Sequence, residues 1–201
     1  MDILLIRHGQ SVANERGLLI ANASDDLTEL GVQQSRLLAH GIQKRVKEAR
    51  WLYCSPWRRA LTTAEIVLDE RMPEALLDAR LAETNPGRHG AWLEKDFNAQ
   101  YPDFYQDLGR RYDGGESHRE MAQRVCDWVQ SEITPKQAQD GELIAIAHGG
   151  PITVILQFLL GVPMEERYPS FTVPNASYSH LRWRADLGRF CLITAGATPS
   201  L

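Results

Sequence analysis

Lysine, cysteine and net positive charge are all scarce in this sequence of 201 residues. Only Lys44, Lys47, Lys95 and Lys136 are lysines, the 22 basic residues are outnumbered by 26 acidic ones, and the formal net charge is −4. Proteins that coat nucleic acid carry a basic excess, and so do binders of anionic membranes; neither partner is expected. Three cysteines (Cys54, Cys126 and Cys191) are too few and too scattered for a disulfide framework, and no Cys-x-x-Cys pair offers a zinc half-site. A reducing compartment fits that usage. The longest apolar stretch, Pro151 to Val162, is interrupted by Thr153 and Gln157 and falls short of the ~20 residues that span a bilayer. No basic leader with a small-residue cleavage site opens the chain, so the expected location is the cytoplasm. Several catalytic signatures are missing as well. There is no Gly-x₄-Gly-Lys loop for nucleoside triphosphates and no Gly-x-Ser-x-Gly elbow for a serine hydrolase. The Cys-x₅-Arg of a cysteine phosphatase fails because Ala60 stands where arginine is required. An aspartyl-phosphate motif is not supplied by Asp25-Asp26-Leu27-Thr28.

What is present is ordinary globular composition, 43% hydrophobic and 24% charged, enough for a packed core without staples. Ile3–Ile6, Trp51–Cys54 and Leu143–Ala147 are short apolar runs that read as buried strands. Between them, about Glu29 to Glu48 reads as a helix capped by Thr28, with Leu30, Leu37, Leu38, Ile42 and Val46 on one stripe. Met121, Val125, Trp128, Val129 and Ile133 repeat that spacing. Pro151 stands in the first turn of a further helix that Gly161 closes. Tyr178–Trp183 and Phe190–Thr194 form a β-pair around the turn Ala185–Gly188. This alternation predicts an α/β three-layer sandwich: a mostly parallel central sheet with helices on both faces. One domain over 1–201 is expected.

The exception is about 85–115, rich in glycine and proline but also in aromatics (Trp92, Phe97, Tyr101, Phe104, Tyr105, Tyr112). That is too apolar for a linker. Either it is an insertion that folds over the sheet and sets specificity, or it is an irregular packed connection. Arg88, His89, Arg110, Arg111 and Arg119, in or beside it, could read a second anionic group or form a solvated basic face.

Three strand ends carry polar residues that a core strand has no use for. The first runs into Arg7-His8-Gly9-Gln10-Ser11, with Asn14 close behind. The second runs into Cys54-Ser55-Pro56-Trp57-Arg58-Arg59-Ala60, and the third into Ala147-His148-Gly149-Gly150-Pro151. Ligands of open α/β sheets bind beyond the carboxyl ends of the strands, and a helix N-terminus following one of them favours an anion. Any one of these junctions is weak evidence. Together, on one rim, they describe an anion pocket with a histidine at its centre.

Arg7-His8-Gly9 with Asn14, Ser55-Pro56-x-x-Arg59-Ala60 with Thr63-Ala64, and His148-Gly149-Gly150 resemble the signatures of the histidine phosphatase superfamily, the phosphoglycerate mutase-like group. Leu27-Thr28-Glu29-Leu30-Gly31, Leu81-Ala82-Glu83 and Gly114-Gly115-Glu116-Ser117 add smaller echoes in the same order. The resemblance implies a phosphoglycerate mutase-like fold and phosphoryl transfer through a covalent phosphohistidine. It makes His8 the nucleophile and Glu83 the acid that protonates the leaving oxygen. Arg7, Asn14, Arg59, His148 and the Gly149 N–H hold the phosphoryl group, with no metal and no cofactor. Two departures leave questions open. The chain reads Gly87-Arg88-His89-Gly90-Ala91-Trp92-Leu93-Glu94 where many members have Gly-x-Trp-Glu-Gly, so the register around Glu83 is unsettled. Arg58 lies beside Arg59 and could share its role.

The partner implied is a small-molecule phosphate ester; oligomeric state is not readable. Hydrolysis of phosphomonoesters of small metabolites is the expected activity. The tail Ala195-Gly196-Ala197-Thr198-Pro199-Ser200-Leu201 is small and uncharged, unlike the basic tail of the family's cofactor-dependent mutases. Such a mutase is the alternative, and a phospholigand-binding module without turnover is a more distant one. Zinc bound by His8, His148 and His180 is conceivable, but without metal-ligand spacing.

Overall fold

A computed structural model describes residues 1–164 and 171–198; residues 199–201 of the tail lie outside them. Among the described residues six strands form one mixed sheet: β1 (Asp2–Arg7), β2 (Trp51–Cys54), β3 (Leu76–Leu77), β4 (Glu142–Ala147), β5 (Tyr178–Arg184) and β6 (Arg189–Ala197). Their spatial order is β3-β2-β4-β1-β5-β6. The first four run parallel, and β5 lies antiparallel to both β1 and β6. The α-helices are α1 (Val12–Arg16), α2 (Glu29–Glu48), α3 (Arg58–Leu68), α4 (Glu94–Gln100), α5 (His118–Trp128) and α6 (Gly149–Leu160).

Alternation along the central strands builds two cores. Ile3 and Leu5 of β1, with Leu143 and Ala145 of β4, meet Met121, Val125 and Trp128 of α5 and Ile152 and Ile155 of α6 on one face. Leu4, Ile6, Ile144 and Ile146 meet Leu38, Ile42 and Val46 of α2 and Ala60, Ala64 and Val67 of α3 on the other. The expected three layers are therefore formed. Beyond Trp128 the helix continues as one π-turn, Val129–Ile133, keeping Val129 and Ile133 on the buried face of α5.

The stripe on α2 differs from expectation at two positions. Thr28 caps the helix, its hydroxyl accepting from the Gly31 N–H at 3.0 Å. The buried row, however, is Gly31, Ser35, Leu38, Ile42 and Val46, while Leu30 and Leu37 are 48% and 40% exposed. The cause is the loop after β1, which crosses so close that large side chains have no room at the start of the row. A Cβ on Gly31 would lie 2.0 Å from the Gln10 carbonyl oxygen, and one on Gly9 would lie 2.4 Å from that of Gly31.

Residues 85–115 are open to two readings from the sequence, an insertion over the sheet or an irregular packed connection, and they carry an aromatic cluster of their own. Their aromatics make a third cluster, Phe97, Phe104 and Tyr112, covered by Leu19, Ile20 and Tyr101. Isolated bridges tie Leu18 to Leu93 and Arg111 to Ser117. The segment thus extends the rim on which α1 sits and adds no layer to the sandwich.

The glycine contact yields a test. Gly31→Ala forces backbone apart in a packed region, which costs about 1–3 kcal/mol. Thermal melts should show a loss of roughly 2–4 °C for each of those kcal/mol in a domain of this size. An unchanged melting temperature would show that the loop after β1 is not locked against α2.

Candidate active site

Sheet register brings the three polar strand ends together. Arg7 pairs with Ala147 across β1 and β4, and Cys54 pairs with Ile146 across β2 and β4. The residues that follow, His8, His148 and Ser55, therefore leave adjacent strands at one level. Strand parity divides them further. Arg7 continues the Ile3–Leu5 row and reaches the start of α6, its guanidinium carbon 3.6 Å from where a Gly149 Cβ would be. His8 continues the Leu4–Ile6 row and turns toward α3.

His8 is buried. Its Nδ1 lies 2.7 Å from the Gly9 carbonyl oxygen, a partner that can only accept, so Nδ1 carries the proton and Nε2 is left as the acceptor nitrogen. The Arg59 Nε–H points at that Nε2 from 3.1 Å. Burial, then the charges of Arg59 and Arg7, hold the imidazole pKa well below the ordinary histidine range. The ring is neutral at physiological pH.

Arg59 is as buried as the core around it. Its Nη1 donates to the Asn22 carbonyl at 3.1 Å and lies 3.7 Å from Asp25, and its guanidinium stacks 4.6 Å over Trp57. Burial pulls its pKa down to about 10, which leaves it charged. Arg7 donates to the Val173 carbonyl at 2.5 Å. The His148 ring lies 5.0 Å from that of His8 and 5.3 Å from that of Trp57. Its Nε2 bonds the Ser55 hydroxyl at 2.8 Å, whereas its buried Nδ1 has no hydrogen-bond partner among the described residues. Burial, followed by Arg59, His8 and Arg7, depresses its pKa too. Two arginines and two neutral imidazoles thus face one point, an arrangement that suits a compact dianion.

Glu83 reaches the same rim from the segment after β3. One carboxylate oxygen accepts from the Gly150 N–H at 3.1 Å and the other from the Thr84 N–H at 2.9 Å. That places it at the N-terminus of α6, one residue beyond Gly149. Asn14 is exposed, and its Oδ1 accepts from the Ser11 N–H at 3.1 Å. Arg58 is resolved from Arg59: it turns away to Asp26 at 3.0 Å and Glu65 at 3.8 Å. His180 also stands apart, since its Nε2 bonds Asp2 at 2.6 Å at the start of β1, the end opposite to His8. Among the described residues no group of three histidine, cysteine, aspartate or glutamate side chains could hold a metal ion, and no helix is long and apolar enough to cross a membrane.

Sequence reasoning missed two supports. Asn175 donates from Nδ2 to the carbonyls of His8 (3.2 Å) and Gly9 (3.3 Å) and to Asn14 Oδ1 (3.0 Å), so it ties Asn14 to the loop that carries the histidine. Arg124 of α5 donates to three carbonyls of the segment leading to Glu83: those of Arg80 (2.8 Å), Ala82 (2.7 Å) and Glu83 itself (3.0 Å). Glu116 holds it at 2.6 Å. Asn175 stands in an irregular segment without periodicity, and Arg124 is one polar residue of an amphipathic helix. No local pattern marks either.

Comparison with known proteins agrees with this geometry. Residues 3–194 match the Histidine phosphatase superfamily (branch 1). The chain is 26% identical to phosphoserine phosphatase 1 of Hydrogenobacter thermophilus, over 93% of its own length and 90% of the relative's. It is 30% identical to a 2,3-bisphosphoglycerate-dependent phosphoglycerate mutase of a Methylobacterium species, over 81% and 82%. The structure of mycobacterial glucosyl-3-phosphoglycerate phosphatase determined with VO3 is 28% identical and superposes with a TM-score of 0.79, over 98% of this chain and 99% of that one. Sheet, site and sequence lead to one family, and this chain belongs to the histidine phosphatase superfamily.

Proposed function

We propose that the protein hydrolyses phosphomonoesters of small metabolites through a phosphohistidine formed on His8. The observation that carries this is the His8 imidazole, neutral and buried, with Nδ1–H fixed on the Gly9 carbonyl and Nε2 facing Arg59. The names of the relatives support the same class, phosphoserine phosphatase and glucosyl-3-phosphoglycerate phosphatase among them.

The Nε2 lone pair attacks phosphorus in line. A P–N bond forms as the P–O bond to the alcohol breaks, and Glu83 gives its proton to the departing oxygen. Water then attacks the phosphohistidine, Glu83 takes a proton back, the P–N bond breaks and phosphate leaves. Arg7, Arg59, His148 and the Gly149 N–H hold the phosphoryl oxygens throughout, since positioning and fixed donors do most of the work in this chemistry. Asn14 borders the same loop and completes the binding set. The insertion at 85–115, within one domain over 1–201, supplies specificity. The similarity to a phosphoglycerate mutase favours a second outcome, retention of the phosphoryl group for a second ligand.

Hydrolysis of an activated aryl phosphate by wild type should resist chelator and vanish in His8→Ala. Turnover that survives the substitution excludes the phosphohistidine. Arg59→Ala should lose about 10²–10³-fold in kcat, as for other oxyanion donors. Glu83→Gln should lose about 10²–10⁴-fold on alkyl phosphates and far less on activated aryl phosphates; equal losses remove the acid role. Stability should follow pH with a definite sign. An unfolded histidine takes up a proton near pH 6.5, whereas folded His8 and His148 stay neutral well below it. The unfolded state therefore binds more protons below that pH, and each ring lowers stability by up to about 1.4 kcal/mol per pH unit as the pH falls. Melts between pH 7.5 and 5 should show a decline that His148→Gln reduces.

A further inference from the structure

Glu83 also walls a cavity of about 330 Å³, enclosed by Leu19, Ile20, Tyr105, Leu108 and Tyr112 and continuing the rim outward. The same carboxylate borders a smaller cavity of about 280 Å³ beside Asn22, Trp57 and Arg124. If Glu83 protonates the leaving oxygen, as the function proposed above requires, the larger chamber with the apolar and aromatic walls is the one that can house the body of the alcohol. Its charges are unequal. Glu83, Glu94 and Asp107 border it, against one arginine, Arg110, whose guanidinium rests 5.2 Å over the Phe104 ring, and His118, whose pKa burial lowers toward the neutral form. The other basic groups of the segment are engaged elsewhere. Arg88 pairs with Asp113 at 3.2 Å and Arg111 with Glu120 at 2.6 Å. His89 is packed among aromatic rings, and Arg119 borders a different cavity. Positive charge is thus concentrated on the phosphoryl group, and the chamber beside it offers apolar and aromatic surface with a surplus of carboxylates. Tyr105 and Tyr112, joined through their hydroxyls at 3.2 Å, give one wall both a flat face and a polar edge.

The geometry points to a substrate whose alcohol has an apolar or aromatic body and no net negative charge. Esters of carboxylated or doubly phosphorylated alcohols are disfavoured. With Glu83 protonated for its proposed role, Glu94 and Asp107 outnumber Arg110 by one, and one excess carboxylate several ångströms from a bound anion, at the effective dielectric of a protein rim, gives about a tenfold penalty. An aromatic body would bury its surface against the two tyrosines and Leu108.

The test compares phenyl phosphate with 4-carboxyphenyl phosphate, whose leaving phenols are similar in acidity, and benzyl phosphate with ethyl phosphate. In wild type, kcat/KM should favour phenyl over 4-carboxyphenyl phosphate by about tenfold and benzyl over ethyl phosphate by at least as much. The double variant Glu94→Gln/Asp107→Asn, conservative and on the rim, should bring the first ratio close to one, and Tyr105→Ala should reduce the second. Equal or better turnover of the carboxylated ester overturns the inference, as does a ratio indifferent to the double variant. Both outcomes leave the histidine phosphatase reading standing. That reading fails separately, and takes this one with it, if wild type hydrolyses none of the four esters or if His8→Ala hydrolyses them equally well.

Discussion

Burying Arg59 beside a neutral imidazole is the constraint on which the rest of the site depends. A guanidinium taken out of water needs compensation, and here it comes from Asp25 at 3.7 Å, the charge of Glu83, the Asn22 carbonyl, the His8 Nε2 and a tryptophan face. Arg7 adds a second cation with a carbonyl for a partner. Burial and, with it, the same charges of Arg59 and Arg7 keep His8 unprotonated. Much of the surrounding structure exists to hold that arrangement rigid: Thr63 under Gly9 at 3.1 Å, Ser55 on His148, Asn175 on the loop of His8. On the function proposed above, donors held in place in this way stabilise charge as it spreads over the equatorial oxygens of a phosphoryl group.

The parts of this molecule that repeat locally were legible in the sequence, and those that depend on a distant neighbour were not. Strands β1, β2 and β4 and helices α2 and α6 announce themselves by apolar runs and periodic stripes. The polar strand ends of Arg7-His8, Ser55 and His148 stand out because nothing in a core strand accounts for them. Leu30 and Leu37 misled because hydrophobicity was counted without the glycine contact that fixes which face of α2 is buried. The choice between Arg58 and Arg59 needed the structure, because neighbours on a helix differ by a 100° rotation that only packing makes decisive. Asn175 and Arg124 act through backbone carbonyls, and a carbonyl leaves no trace in the identity of the residue that bears it.

The segment at 85–115 packs largely on itself. It contacts the sandwich through the loop following α1 and carries a small aromatic core of its own, so its exchange leaves the sheet and both main cores undisturbed. Arg124 couples the two parts. Rooted in α5 and held by Glu116, it grips the segment leading to Glu83. Glu83 is thereby fixed relative to the α5 layer.

The position of β1 has a consequence for biogenesis. It holds the first residues of the chain, yet its only neighbours in the sheet are β4 and β5, made more than a hundred residues later. A ribosome therefore releases Ile3, Leu4, Leu5 and Ile6 long before any strand exists to cover them, and β4 must enter between β1 and β2 once they are already formed. Pairing of such remote segments is slow and exposes unpaired edges. Because His8 lies at the end of β1, and His148 and Asn175 come from the late segments, the three meet only once the sheet has closed. On the function proposed above, activity would then double as a reporter of complete folding.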